Sequence, residues 1–282
     1  MKRSLVLLVY IVAIAIMAIA QQAPEVRWAS IDGQKIRYYD IGDTKAKNAL
    51  VLVHCWTCNA DFWKDTYNAF PDYRVVAMDL PGHGESDKPK IDYSMEFFAR
   101  SVDAVMKHAG VKKAVLAGHS MGSPVIRRYY ELYPSKTLGL VIVDGSMIPY
   151  ANREELEKFF EPFYKDYKSE APKFIEDMLP KDAALASYIK SSMLATPEHV
   201  ATSAMRLMTD DSYAEHGKIG VPALAVMAPS PYWPPDLEAK YRAIMPRLEY
   251  QMWPGTSHFL QMERPAWFNG QVKGFIIRNG LL

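Results

Sequence analysis

Gly118-His119-Ser120-Met121-Gly122 sets a serine midway between two glycines. The motif stands between a strand-like run, Ala114–Ala117, and a helical pattern. This spacing suits a nucleophile on a tight strand-to-helix turn, where the crowded backbone leaves no room for neighbouring Cβ atoms. The helix start beneath it would add free N–H groups and the positive end of a dipole. The chemistry-free reading is a glycine-rich turn with a capping serine. A serine hydroxyl is a poor nucleophile until a base takes its proton. Of the seven histidines, His258 lies in Pro254-Gly255-Thr256-Ser257-His258-Phe259, just after the last expected strand. It would emerge at the same sheet edge as Ser120. His54 and His83 also follow strands, in turns where bonding to loop backbone is the expected role. His119 lies inside the serine turn and points away from Ser120, while His108, His199 and His216 read as helix or cap surface positions. The chemistry this set offers is acyl transfer, with the Met121 N–H as one donor to the developing oxyanion.

Such residues need a frame. Val26–Ser30 and Lys35–Asp40, joined by Asp32-Gly33, read as a hairpin with a tight turn. Apolar runs at 50–53, 75–78, 114–117, 140–143 and 223–227 end in Gly, Asp, His or Ala-Pro, as buried parallel strands do. The alternating stretch 248–253 is the expected last strand. Helical patterns occupy 95–109, 120–133, 237–244 and 265–277, and this βαβα order argues for a parallel sheet covered on both faces. Residues 147–218 break the rhythm with four helical stretches (152–168, 171–178, 183–193 and 197–208) rich in Phe, Tyr and Met. A parallel crossover needs only about a dozen residues, so this segment reads as a helical cap over the sheet edge. An ordinary pair of crossover helices is the plainer alternative. Phe159, Phe160, Phe163, Tyr164, Tyr167, Met178, Met193, Met205 and Met208 are packing residues by default, and some of them face the pocket. Tyr232 and Trp233 are further candidates to line it.

Four segments in order carry a resemblance: His54 opening a turn, Asp79-Leu80-Pro81-Gly82-His83-Gly84-Glu85-Ser86, Gly118–Gly122, and Pro254–Phe259. Together they resemble the α/β-hydrolase superfamily over about residues 26–278. The resemblance implies an α/β fold with a mostly parallel eight-stranded sheet, helices on both faces and a helical cap, acting without a cofactor. The core would comprise 21–146 and 219–282, with the cap at 147–218. It further implies a Ser–acid–His triad in chain order, in which Ser120 and His258 match the family positions. Most members carry the acid after the seventh strand, where this chain has Pro231. Asp144, at the end of the preceding strand, would reach the same edge, as in a haloalkane dehalogenase subgroup. Asp236, five residues past Pro231, is the rival, and a chain without a functional acid is the third possibility. The second oxyanion donor would be the N–H of Trp56, with Cys55 in place of the usual Gly. A serine at the nucleophile position disfavours dehalogenase and epoxide hydrolase chemistry, both of which need a carboxylate there. The expected activity is cleavage of a carboxylic ester or related small acyl compound. Lactonase, amidase, C–C bond hydrolase, or a ligand-binding protein of the same fold are the alternatives.

Cys55-Trp56-Thr57-Cys58 holds the only two cysteines. Redox C-x-x-C motifs sit at helix N-termini that lower the thiol pKa. Here the motif follows a strand, which favours coincidence or a local structural disulfide, and no second Cys/His pair is present to complete a zinc site. Two cysteines cannot make a disulfide-rich scaffold. With 33 Lys+Arg against 32 Asp+Glu in 282 residues, the chain lacks the basic footprint of a nucleic-acid binder. Met1-Lys2-Arg3, the uncharged run Leu5–Ala20 and the end Ala18-Ile19-Ala20 read as a signal peptide cleaved after Ala20. The run is shorter than the about 20 residues that span a bilayer, so no stable membrane anchor is expected. The mature protein would be secreted or periplasmic, with 31 basic residues facing 32 acidic ones once Lys2 and Arg3 are gone.

Overall fold

The computed structural model describes residues 24–149, 152–207 and 217–282. The expected signal peptide, Met208 and His216 lie outside these residues. Eight strands form a single sheet: β1 (Val26–Ile31), β2 (Gln34–Ile41), β3 (Asn48–Val53), β4 (Val75–Met78), β5 (Lys113–His119), β6 (Thr137–Val143), β7 (Ala223–Met227) and β8 (Leu248–Met252). Their order across the sheet is β1-β2-β4-β3-β5-β6-β7-β8. The hairpin pairs Ile31 with Gln34, and Asp32 and Gly33 turn it with φ of +48° and +81°, as a two-residue primed turn requires. β2 runs antiparallel to β4, and every pairing from β4 to β8 is parallel. The expected α/β architecture and all eight strands are therefore present.

The helices are α1 (Lys64–Tyr67), α2 (Met95–Ala109), α3 (Gly122–Leu132), α4 (Arg153–Lys165), α5 (Tyr167–Glu176), α6 (Ala183–Leu194), α7 (Glu198–Arg206), α8 (Leu237–Ile244), α9 (Leu260–Glu263) and α10 (Pro265–Asn279). The central strands are buried on both faces because their residues alternate between two cores. Val51, Val53, Leu116, Ile142 and Ala225 join Phe98 and Val102 of α2 and Ile126 of α3. Leu50, Leu52, Val115, Val141 and Leu224 meet Phe268, Phe275 and Ile276 of α10 on the other side. This two-sided burial explains why these strands read as unbroken apolar runs.

Among the described residues, four helices, α4 to α7, lie between β6 and β7. Asn152 starts α4 with a reciprocal capping box to Glu155, which satisfies two orphan N–H donors at once. The expected helix 171–178 instead occupies 167–176, because Asp166 accepts from the Ser169 N–H and starts the turn earlier. The pattern for 120–133 loses its first residues, because Ser120 takes a left-handed conformation and the helix starts at Gly122.

Candidate active site

β5 and β6 run side by side with His119 opposite Val143, so the next residue of each strand, Ser120 and Asp144, leaves the sheet at the same edge. The Ser120 N–H donates to Val143 O at 2.9 Å, and the Asp144 N–H donates to Val226 O at 2.9 Å. Both residues are left-handed, with φ of +52° and +40°. Four non-glycine residues have positive φ in the described structure, and Ser120, Asp144 and Thr57 are three of them. Each costs on the order of 1–3 kcal/mol, a strain that collects at functional sites. The glycines of the serine turn answer to space: a Cβ on Gly118 would overlap Gly122 O, and one on Gly122 would lie 2.5 Å from Val53 O.

His258 lies in the loop after β8, and its Nδ1–H donates to Asp144 Oδ2 at 2.7 Å. Because a carboxylate only accepts, the neutral ring carries its proton on Nδ1, the tautomer that presents the Nε2 lone pair. The other oxygen of Asp144 accepts from the Ala228 N–H at 2.8 Å and the Trp233 indole N–H at 3.4 Å. The loop after β7 thus sends hydrogen-bond donors to the carboxylate of the neighbouring strand. Asp236 lies elsewhere, 57% exposed at the start of α8 and paired with Lys240 at 3.0 Å. Of the two sequence candidates, the structure brings only Asp144 to His258.

Several contacts that sequence reasoning missed hold the His258 loop. The Ser257 N–H and hydroxyl both donate to Glu263 at 2.6 Å. Buried His119 donates its Nε2–H to His258 O at 2.7 Å, while Gln261 donates to His119 Nδ1 at 3.2 Å. His119 does point away from Ser120, as expected, but towards the backbone of His258. Burial holds His119 well below the ordinary histidine pKa, so it stays neutral with its imidazole close beside that of His258, ring centroids 4.8 Å apart. The Ser257–Glu263 pair spans six residues, a spacing that no short motif marks.

Across the site lies the loop after β3. His54 donates Nδ1–H to Cys55 O at 2.7 Å and accepts the Leu80 N–H at 2.9 Å. His83 donates to Pro81 O at 3.0 Å. Burial lowers their pKa values to about 4 and about 3, so both serve the loop backbone as neutral rings. Cys55 and Cys58 form a disulfide. The left-handed residue of this loop is Thr57 and not Cys55, so replacing the family's Gly by Cys costs no strain at that position. Neither the Trp56 N–H nor the Met121 N–H donates to a protein acceptor among the described residues.

These groups line a cavity of about 780 Å³. Ser120, Met121, Asp144, His258 and Trp56 all belong to its wall, together with Phe159, Phe160, Met178, Met193 and Met205 of the segment between β6 and β7 and Tyr232 and Trp233 of the β7 loop. Phe163 instead packs edge-on against the Trp56 ring at 5.6 Å. Tyr164 and Tyr167, also expected as candidates, stand off the wall.

A left-handed serine at a strand-to-helix turn, set beside a carboxylate–imidazole pair on this sheet order, defines an α/β hydrolase site. The sequence profile described as alpha/beta hydrolase fold matches residues 48–265, and the chain belongs to that family. It is 26% identical over 273 residues to the dihydrolipoyllysine-residue acetyltransferase component of the acetoin cleaving system of Pseudomonas putida, covering 90% of this chain and 70% of that one. It is 32% identical over 120 residues to the bifunctional esterase/perhydrolase DCH of Acinetobacter calcoaceticus, covering 42% of this chain and 43% of that one. In three dimensions it is similar to an esterase from Exiguobacterium antarcticum, with a TM-score of 0.80 at 18% identity over 89% of this chain and 99% of that one. At that identity the likeness is one of fold.

Proposed function

We propose that this α/β hydrolase cleaves carboxylic esters through a Ser120–His258–Asp144 triad and an acyl-enzyme. The reading is carried by the His258 Nδ1–H bond to Asp144 at 2.7 Å, on the wall of the cavity that Ser120 enters. Ser120 Oγ attacks the ester carbonyl as His258 Nε2 takes its proton. Asp144 keeps the imidazole in the tautomer that presents a free Nε2, and stabilises the imidazolium that forms. The Trp56 and Met121 N–H groups receive the oxyanion, where preorganised donors act more strongly than water does. His258 then protonates the departing alcohol, and a water activated by the same nitrogen releases the acid. The helices α4 to α7 serve as a cap that supplies the apolar wall for the acyl group.

Short p-nitrophenyl esters test the assignment. Wild type is expected to turn them over with a burst of p-nitrophenol, and Ser120→Ala to lose about ten-thousand-fold or more in kcat. Turnover unaffected by Ser120→Ala would sink the assignment. A protein that only binds ligand would also fail to label with a fluorophosphonate probe, whereas the triad requires stoichiometric labelling at Ser120. We further propose export with cleavage after Ala20. The charge pattern of the N-terminal segment supports this, as does a disulfide of the kind that persists in oxidising compartments. N-terminal sequencing of the exported protein should begin at Gln21.

A further inference from the structure

We propose that the Cys55–Cys58 disulfide is a positioning element for ester cleavage: it holds the Trp56 N–H in place as an oxyanion donor, so full activity depends on the oxidised pair. The inference rests on the triad reading above and adds a requirement to it.

The disulfide closes a ring whose other two residues are Trp56 and Thr57. Within that ring the Cys58 N–H donates to Cys55 O at 3.2 Å, and Thr57 stands at φ +55°. For a β-branched residue this conformation is an outlier that the surroundings must enforce. The Thr57 hydroxyl is buried without a hydrogen-bond partner, so no local side-chain bond compensates. Contacts to the cap hold the outer side of the ring: the Trp56 indole N–H donates to Ala201 O at 2.8 Å, and the Thr196 hydroxyl donates to Thr57 O at 3.0 Å. The inner side faces the cavity, where both Trp56 and Cys55 form part of the wall. Cutting the covalent link leaves a strained turn held by one backbone bond, the His54 bond to Cys55 O and two bonds to the cap. The loop then relaxes its left-handed residue, and the Trp56 N–H leaves the position that serves the oxyanion.

The same geometry argues against thiol redox catalysis. Both sulfurs belong to buried residues, 1% and 0% exposed, and the residues after them enter a 3-10 turn at Ala60 rather than an α-helix start. Catalytic thiols need access and an electropositive helix end.

The test compares wild type with the Cys55→Ala/Cys58→Ala double variant on a neutral p-nitrophenyl ester. The expected result is a kcat lower by about 10- to 100-fold with KM within about twofold, the pattern of an interaction made in the transition state. An aryl boronic acid, whose boron accepts Ser120 Oγ and mimics the tetrahedral intermediate, should bind the variant more weakly by the same factor. The product carboxylic acid, a ground-state ligand, should bind both alike. If the double variant does not fold, wild type is reduced with dithiothreitol, which closes to its cyclic disulfide as Cys55 and Cys58 each gain a proton and an electron. After desalting and thiol counting, the loss in kcat should reverse on reoxidation. A variant or reduced enzyme with wild-type kcat overturns the inference, as does a loss of kcat with boronate affinity unchanged. A wild type that cleaves no ester overturns the triad reading first, so the two failures are told apart.

Discussion

Asp144 is worth more to His258 than a nearby negative charge, because its geometry fixes which imidazole nitrogen carries the proton. An amide in its place could present N–H to Nδ1 and force the proton onto Nε2, where it is useless to the serine. Asp144→Asn is therefore expected to lower kcat by about a thousand- to ten-thousand-fold while KM changes little. Asp236→Asn, at an exposed residue paired with Lys240, should leave both constants at wild type, and steady-state kinetics on one ester measures the pair. The serine and histidine were legible because each sits in a local motif whose spacing reflects a local constraint. The acid was legible only as a choice between Asp144 and Asp236, because it depends on where the irregular loop from Pro229 to Trp233 runs, and proline-rich loops have no period to read. His119 was legible only in part: its place inside the turn showed what it avoids, whereas the partner it meets lies 139 residues away.

Among the elements, the meeting of β3, β5 and α3 carries the tightest constraint. Gly122 opens α3 with its α-carbon against the end of β3, so a methyl group there meets Val53 O at 2.5 Å and His54 O at 2.9 Å. Neither is a side chain that can swing aside. Gly122→Ala should cost about 1–3 kcal/mol of stability by overpacking, seen as a lower urea midpoint at unchanged m-value. The helix would also be displaced from the loop that carries Trp56, so kcat should fall with it. The strands were readable because burial on both faces makes them continuous apolar runs bounded by turn residues. Helix ends between β6 and β7 were less so. Asp166 captures the Ser169 N–H and moves the start of α5 four residues ahead of its apolar pattern, a capping effect that periodicity does not register.

For the whole molecule, acid is the weakness. His54 and His83 are buried as neutral rings with pKa values near 4 and 3, below the 6.5 they regain on unfolding. As pH falls below 6.5 the unfolded chain takes up protons that the folded one refuses. Their contribution to stability therefore decreases from about pH 6.5 down to the folded pKa values and is level above that window. At pH 5 each contributes a loss of about 2 kcal/mol, so the urea midpoint should drop between pH 7 and 5, and His83→Gln should flatten the curve. The cavity also has a sign. The carboxylates on its wall are Asp144, Glu155 and Asp177, with no Lys or Arg among the described residues. Esters of an uncharged acyl chain should exceed carboxylate-terminated esters of equal length by about tenfold or more in kcat/KM, which a valerate and hemisuccinate pair would measure. The proposed place of the acid has an evolutionary side. With Asp144 just after β6 as the proposed acid, the segment between Ala228 and Trp233 bonds to that carboxylate at its two ends, by an amide and an indole. Its middle, Pro229 to Tyr232, lines the cavity without holding a proton, so a lineage can rewrite what the enzyme recognises there while its chemistry stays still.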